Sequence, residues 1–180
     1  MKERPTLETA RLVLRPFSLA DAPDVQRLAG DRDVASTTNL PHPYEDGMAE
    51  AWIGAHQVRF ERGEFVSFAI VLRAGHSLIG TIGLRIKPHH PSGELGYWIG
   101  KPFWNQGHCT EAAQAVVDYA FEVLQLNRVH AEYLTRNPAS ARVLEKVGMT
   151  YEGCRRQHVK KWGVLEDLGL YGILRSDWAR

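Results

Sequence analysis

A mixed α/β domain built on one central sheet is what this chain of 180 residues encodes. Runs with two-residue alternation and runs with helical periodicity follow one another, so strands and helices interleave. Three strand-like runs lie close together between Phe65 and Ile99, parted only by turn residues, which predicts an antiparallel meander. There is no internal repeat, low-complexity tract or linker, and the length suits a single domain, 1–180.

The first strand is expected over Leu12 to Phe17. Ser18 then stands as an N-cap with Asp21 three residues on, and Leu19, Ala22, Val25, Leu28 and Ala29 recur at helical spacing. Asp31 to Tyr44 carries Thr37, Thr38, Asn39, Pro41 and Pro43, which is loop chemistry. A second helix is expected from Asp46 to Arg62, with Trp52, Ile53, His56 and Phe60 along one side.

The period then changes. Phe65 to Leu72, Ser77 to Ile86 and Glu94 to Ile99 read as strands, with turns at Gly75 and His76 and from Pro88 to Gly93. A helix from Cys109 to Leu124, a strand from Val129 to Thr135 and a helix from Pro138 to Val147 come next. Two strands close the chain, Tyr151 to Val159 and Val164 to Leu174, turning at Trp162 and Gly163.

Composition excludes several classes. Lys and Arg total 22 against 21 Asp and Glu, so the basic excess of a dedicated nucleic-acid binder is missing. The two cysteines, Cys109 and Cys154, are too few for a disulfide framework and lack zinc-site spacing. No stretch approaches 18 apolar residues, and Met1 to Leu14 has no apolar signal core. A cytoplasmic protein, off the membrane, is the expectation.

Two segments carry chemistry. Between the strand ending at Ile99 and the helix near Cys109, Gly107 removes a Cβ where helix amides are unpartnered and partly positive, so an anion can dock there. The Walker and Rossmann glycine patterns are absent, and the segment alone also suits an ordinary strand-to-helix connection. Asn137 followed by Pro138 is an N-cap with proline at the first helical position, and Gly148 fits the C-terminal stop. Asn137 and Ser140 read equally as capping residues or as polar contacts to a ligand lying across both helix starts.

Taken together, TARLVLRPFSLADAPDV (9–25), SLIGTIGL (77–84), GELGYWIGKPFWNQGHCTEA (93–112) and NPASARVLEKVGM (137–149) resemble the GNAT superfamily of acyl-CoA N-acyltransferases. The branch they resemble is the RimJ/RimL type, which acetylates N-termini of ribosomal proteins. The resemblance spans nearly the whole chain. It implies a mostly antiparallel sheet of about seven strands with about four helices, splayed between strands four and five. Acetyl-CoA is the implied co-substrate, held by Trp98, Ile99, Gly100, Asn105, Gln106, Gly107, His108, Cys109, Thr110 and Asn137. Here the phosphate-loop pattern [QR]xxGx[GA] has Trp104 in its first place and Cys109 in its last, and Leu144 stands where many members carry a tyrosine acid.

Amine attack on a thioester needs a deprotonated amine. Glu94 is the expected base, directly or through a water, with an exposed strand carboxylate as the equal alternative. The amide near Ile99 is expected to face the developing oxyanion, and Ser140 the departing sulfur. Cys109 is not expected to be a nucleophile, nor His89 and His90 metal ligands; no metal is expected. Tyr44 and Tyr97 are expected to bind the acceptor, with the Thr37 to Tyr44 loop, His158 and Trp162 nearby. The acceptor is expected to be a protein N-terminus. A small amine, such as an amino acid, polyamine or antibiotic, is the alternative, and a non-catalytic acyl-CoA-binding module is another. A homodimer is a family-level expectation.

Overall fold

The computed structural model describes residues 3–87 and 89–178. Its single sheet has eight strands in the order β1-β2-β3-β4-β5-β6-β8-β7. They are β1 (Leu7–Glu8), β2 (Leu12–Arg15), β3 (Phe65–Leu72), β4 (Leu78–Ile86), β5 (Ser92–Ile99), β6 (Arg128–Leu134), β7 (Thr150–Lys161) and β8 (Val164–Leu174). Every neighbouring pair is antiparallel except β5 with β6. The seven expected strands are all present, and the two-residue β1 is an eighth at the edge.

Among the described residues, six α-helices flank the sheet: α1 (Ala22–Ala29), α2 (Arg32–Ser36), α3 (Met48–Gly54), α4 (His56–Glu61), α5 (His108–Glu122) and α6 (Pro138–Lys146). The count exceeds four for local reasons. The Asp31 side chain caps a short α2 by accepting from the amides of Asp33 (2.8 Å) and Val34 (3.3 Å), inside a stretch expected to be loop. The expected helix over 46–62 is broken after Gly54 into α3 and α4. Leu19, counted in the periodic stripe, falls in a 3-10 turn and is 63% exposed. The expected turn from Pro88 begins on a residue outside those described, and β5 already starts at Ser92.

Strand alternation sorts the apolar side chains onto two faces. Leu12, Leu14, Val66, Phe68, Ile70, Ile82 and Leu84 meet the buried face of α5, Ala112, Ala113, Val116, Val117 and Ala120. On the other face Ala69, Val71, Leu78 and Trp98 meet Val25 and Leu28 of α1 and Ile53 of α3. The sheet is therefore the middle of three layers, and the entry to α1 is locked. Asp21 accepts from the Ser18 amide at 2.8 Å and takes two bonds from Arg15, at 2.8 and 2.7 Å.

One buried group makes stability depend on pH. His56 is 2% exposed, packed among Phe17, Trp52 and Phe65. Burial first, then the positive Arg4 and Arg59, lower its pKa from 6.5 to about 4. Between those values the unfolded chain holds a proton that the folded chain refuses, so stability is lost as pH falls through that window. The loss should reach roughly 3 kcal/mol by pH 4. Thermal unfolding of His56→Phe at pH 7 and pH 4.5 checks this: the melting temperature of the variant should fall less between the two than that of the parent.

Candidate active site

The sheet forks at its centre. β4 and β5 stay paired from Ile86↔Gly93 to Gly80↔Ile99, and β6 and β8 from Arg128↔Leu174 to Leu134↔Leu168. β5 and β6 are in register only at Ser92↔Arg128, Gly93↔Val129 and Glu94↔His130. Beyond Glu94 the two strands part, so the expected splay is present, between the fifth and sixth strands once β1 is counted. The Gly100 amide donates to the Ile79 carbonyl at 2.8 Å. Alternation then turns the Trp98 backbone toward β4 as well, and the Tyr97 and Ile99 backbones into the gap. The Trp104 indole caps one of these groups, donating to the Ile99 carbonyl at 2.6 Å. The Ile99 amide remains directed at the gap.

The loop after β5 enters α5 through two left-handed residues, Asn105 (φ 59°) and Gly107 (φ 78°). It is held from the turn between β1 and β2, about a hundred residues earlier. Arg11 donates through Nη1 to the Gln106 carbonyl at 3.0 Å and through Nε to Glu111 Oε2 at 2.6 Å. The Arg11 amide and the Thr9 hydroxyl both donate to Glu111 Oε1, at 2.8 and 2.7 Å. Burial alone would raise the Glu111 pKa, but these bonds hold it below the ordinary range. His108, buried at the helix start, shares a hydrogen bond of 3.2 Å with Gln106 Oε1, and burial, then Arg11, lowers its pKa.

Glu111 is an anion in the first turn of α5, beside helix amides open to an anion, and Arg11 neutralises it. Arg11→Ala should therefore weaken acetyl-CoA binding about tenfold. Adding Glu111→Gln should recover most of that loss, as a calorimetric titration of both variants will show.

α6 supplies the second helix start. Asn137 Oδ1 accepts from the Ser140 amide at 3.3 Å, so Asn137 is a cap, and its side chain also lines the cleft. The Ser140 hydroxyl shares a hydrogen bond of 2.9 Å with the Tyr97 hydroxyl, which also lies 3.2 Å from the Ser140 carbonyl. Burial, then the neighbouring Cys109, raises the Tyr97 pKa far above its ordinary value, so this phenol keeps its proton. Burial pushes the Cys109 thiol up to about 12 despite its place in the first turn of α5. A thiol held protonated is a poor nucleophile.

One cavity of about 720 Å³ joins these groups, from Asn105, Gly107, His108, Cys109 and Thr110 at one end to Trp52, Phe65 and Glu94 at the other. Trp98, Ile99, Tyr97, Asn137 and Ser140 line its middle. Three residues expected at the site lie off its walls. Gly100 is committed to Ile79 and packed on Leu28. The Gln106 side chain folds back on the Pro102 carbonyl at 3.1 Å. Tyr44 packs on the α1–α3 core cluster, where burial raises its pKa. Tyr97 is in the cavity but on the α5–α6 face of β5, whereas Glu94 and Trp98 are on the other face. Glu94 pairs with Arg85 at 3.3 Å.

The loop over 37–40 also lines the cavity, tied down from the far half of the sheet. Lys161 donates to the carbonyls of Thr38 (2.6 Å) and Leu40 (3.1 Å), and Arg136 to that of Ser36 (2.5 Å). His158 lines the cavity, while Trp162 sits outside it, 46% exposed, against His42. The contacts of Arg11, Lys161 and Arg136 left no local signal in the sequence, since each acts on a loop remote along the chain. Arg142 and Lys146, one turn apart on α6 and lining the cavity, were legible as an i, i+4 cation pair.

A sheet forked beside a glycine-led helix start and a second capped helix defines the class, an α/β acyltransferase fold. The chain belongs to the GNAT acetyltransferase family: the acetyltransferase (GNAT) domain matches residues 11–150. It is similar to the uncharacterized N-acetyltransferase p20 of Bacillus licheniformis, 31% identical over 176 residues, covering 97% of this chain and 98% of that protein. It is also similar to the ribosomal-protein-serine acetyltransferase of Escherichia coli, 32% identical over 95 residues, covering 52% and 53%. In fold it matches the RimL ribosomal L7/L12 alpha-N-protein acetyltransferase solved in complex with coenzyme A, with a TM-score of 0.86 and 19% identity over 94% of this chain and 98% of that one. The protein is an acetyl-CoA-dependent N-acetyltransferase. Among the described residues no helix is long and apolar enough to cross a membrane, and no cluster of three His, Cys, Asp or Glu side chains is placed to hold a metal ion.

Proposed function

We propose that this enzyme binds acetyl-CoA along the fork and passes the acetyl group to the N-terminal amine of a protein, by direct attack within a ternary complex. One observation carries the reading: β5 divides the cavity, with Glu94 on one face and the Tyr97–Ser140 pair on the other. A base and a leaving-group donor on opposite faces of one strand suit a thioester held at its edge.

In this reading the amides of the 105–110 loop and the first turn of α5 meet the pyrophosphate. The pantetheine arm takes the gap between β5 and β6, where the Tyr97 and Ile99 backbones are turned. The amine loses a proton to Glu94, directly or through a water, and its nitrogen bonds to the acyl carbon. The Ile99 amide meets the developing oxyanion. The C–S bond breaks, and the thiolate accepts a hydrogen bond from Ser140, whose hydroxyl Tyr97 orients. A thiolate is a good leaving group, so this last contribution is modest. Ser140→Ala should lower kcat about tenfold, the worth of one hydrogen bond, with acetyl-CoA affinity unchanged. Tyr97→Phe should do the same if Tyr97 acts through Ser140, and the double variant should be no worse than either single one. Steady-state kinetics on the three proteins checks this.

The protein acceptor is supported by the RimJ/RimL likeness and by the breadth of the cavity, whose acceptor end spans β3, β4 and the 37–40 loop. The deciding test incubates enzyme and acetyl-CoA with a panel of N-terminal peptides, linear polyamines and free amino acids, and reads acetylation by mass spectrometry. Transfer to peptide α-amines above all others supports the proposal. Preference for a polyamine or amino acid replaces it, and acetyl-CoA binding with no transfer to any amine would make the chain a binding module.

A further inference from the structure

The acceptor face of β5 has a gap in its row of side chains. Glu94 and Trp98 flank Gly96, which is registered opposite Gly83 on β4, which is registered opposite Ser67 on β3. A trench of minimal bulk therefore crosses three strands. Its walls are the row Phe65, Arg85, Glu94 and the row Ala69, Thr81, Trp98. Most of these residues, including Ser67, Gly83 and Gly96, line the one cavity.

The two glycines differ in why they are glycine. At Gly83 a Cβ would stand 2.5 Å from the Val66 carbonyl oxygen, so packing excludes any side chain. At Gly96 a Cβ would meet nothing within 4 Å, and its φ is not in the left-handed range. Neither packing nor backbone conformation asks for glycine there, and glycine inside a strand weakens it. Such a glycine marks a place where something else approaches the backbone closely. It is two residues from Glu94 and two from Trp98, on the margin where β5 has left β6.

We propose that Gly96 is a specificity-determining residue that sets the width of the acceptor path. The chain that carries the primary amine lies across the sheet over Ser67, Gly83 and Gly96, and its nitrogen reaches the gap beside Glu94. Each wall stands two residues from the trench floor, roughly 7 Å along the strand, which admits one chain with a small side chain beside the amine and excludes a bulky one. This rests on transfer to an amine as proposed above, but not on whether that amine belongs to a protein.

The test compares the parent with Gly96→Ala and Gly96→Val. The probe is whichever amine of the peptide, polyamine and amino-acid panel the parent acetylates fastest. Transfer should fall roughly tenfold for alanine and a hundredfold for valine, chiefly through the acceptor KM. Acetyl-CoA affinity by calorimetry and slow acceptor-free hydrolysis of acetyl-CoA by water should both stay within about twofold of the parent, because water needs no trench. Parental transfer rates in the valine variant would overturn the proposal. So would an equal loss of hydrolysis and transfer, which would mean general damage to the site. A parent that prefers a polyamine defeats the protein-acceptor reading yet leaves this comparison intact; a parent that acetylates nothing defeats both.

Discussion

Gly107→Val is expected to cut acetyl-CoA affinity by about two orders of magnitude. Gly107 is the N-cap of α5 with φ 78°, a conformation that a β-branched residue enters only at a cost of roughly 1–2 kcal/mol. A chain that relieves this strain must rotate the amides of His108, Cys109 and Thr110, the groups proposed to meet the pyrophosphate. A valine that stays put instead sets its Cβ 3.4 Å from the Arg11 guanidinium and its methyls in the phosphate path. Either way strain and blockage add, and ~3 kcal/mol is a hundredfold in the dissociation constant. Calorimetry with acetyl-CoA measures it directly, with the melting temperature of the unliganded variant as a check on folding. Parental affinity in a folded Gly107→Val would remove the loop from the cofactor site.

Glu94→Gln is the second large effect, an expected loss of roughly 10² to 10³ in kcat/KM near neutral pH. Glutamine keeps the shape and a hydrogen bond near Arg85 but cannot take a proton. The loss should depend on pH with a definite sign. At low pH the acceptor is ammonium and the base is needed; at high pH more of the amine is free, so the variant should approach the parent. A kcat/KM profile from pH 6 to 9.5 reads this. A deficit constant across that range would mean that Glu94 serves only to place Arg85, with which it pairs at 3.3 Å on the same face.

The two experiments probe opposite ends of one cavity, and the strand between them explains why they should separate. In the proposed mechanism Gly107 acts on binding, through the loop amides, and Glu94 acts on turnover, from the face of β5 opposite Tyr97. A variant of one that reproduced the kinetic signature of the other would contradict this division.

What was legible in the sequence was local. Phe65–Leu72 is the strand its alternation predicts, residue for residue. α5 and α6 begin within one residue of their expected starts, because a left-handed glycine and an Asn-Pro cap are signals written in adjacent residues. The cap box at Ser18 and Asp21 was readable for the same reason. The division of the helix over 46–62 was not, since its period continues through Gly54 and Ala55 between α3 and α4 keeps helical angles (φ −76°, ψ −13°). Leu19 fits a helical stripe in the sequence, yet it lies outside the α-helix, where that stripe has no meaning.

The sequence by itself determined the interleaved strands and helices, the glycine-led helix start and the family they resemble, for the side chains behind those signals sit within a few positions of one another. Only the tertiary structure decided which face of β5 each group occupies, that Tyr97 bonds Ser140 on the face opposite Glu94, that Tyr44 belongs to a core, and that Arg11 steadies a loop beginning nearly a hundred residues away. Those contacts join segments that are neighbours only after the sheet has formed. Strand register and the divergence of β5 from β6 bring them together, and neither is encoded in any single stretch of residues.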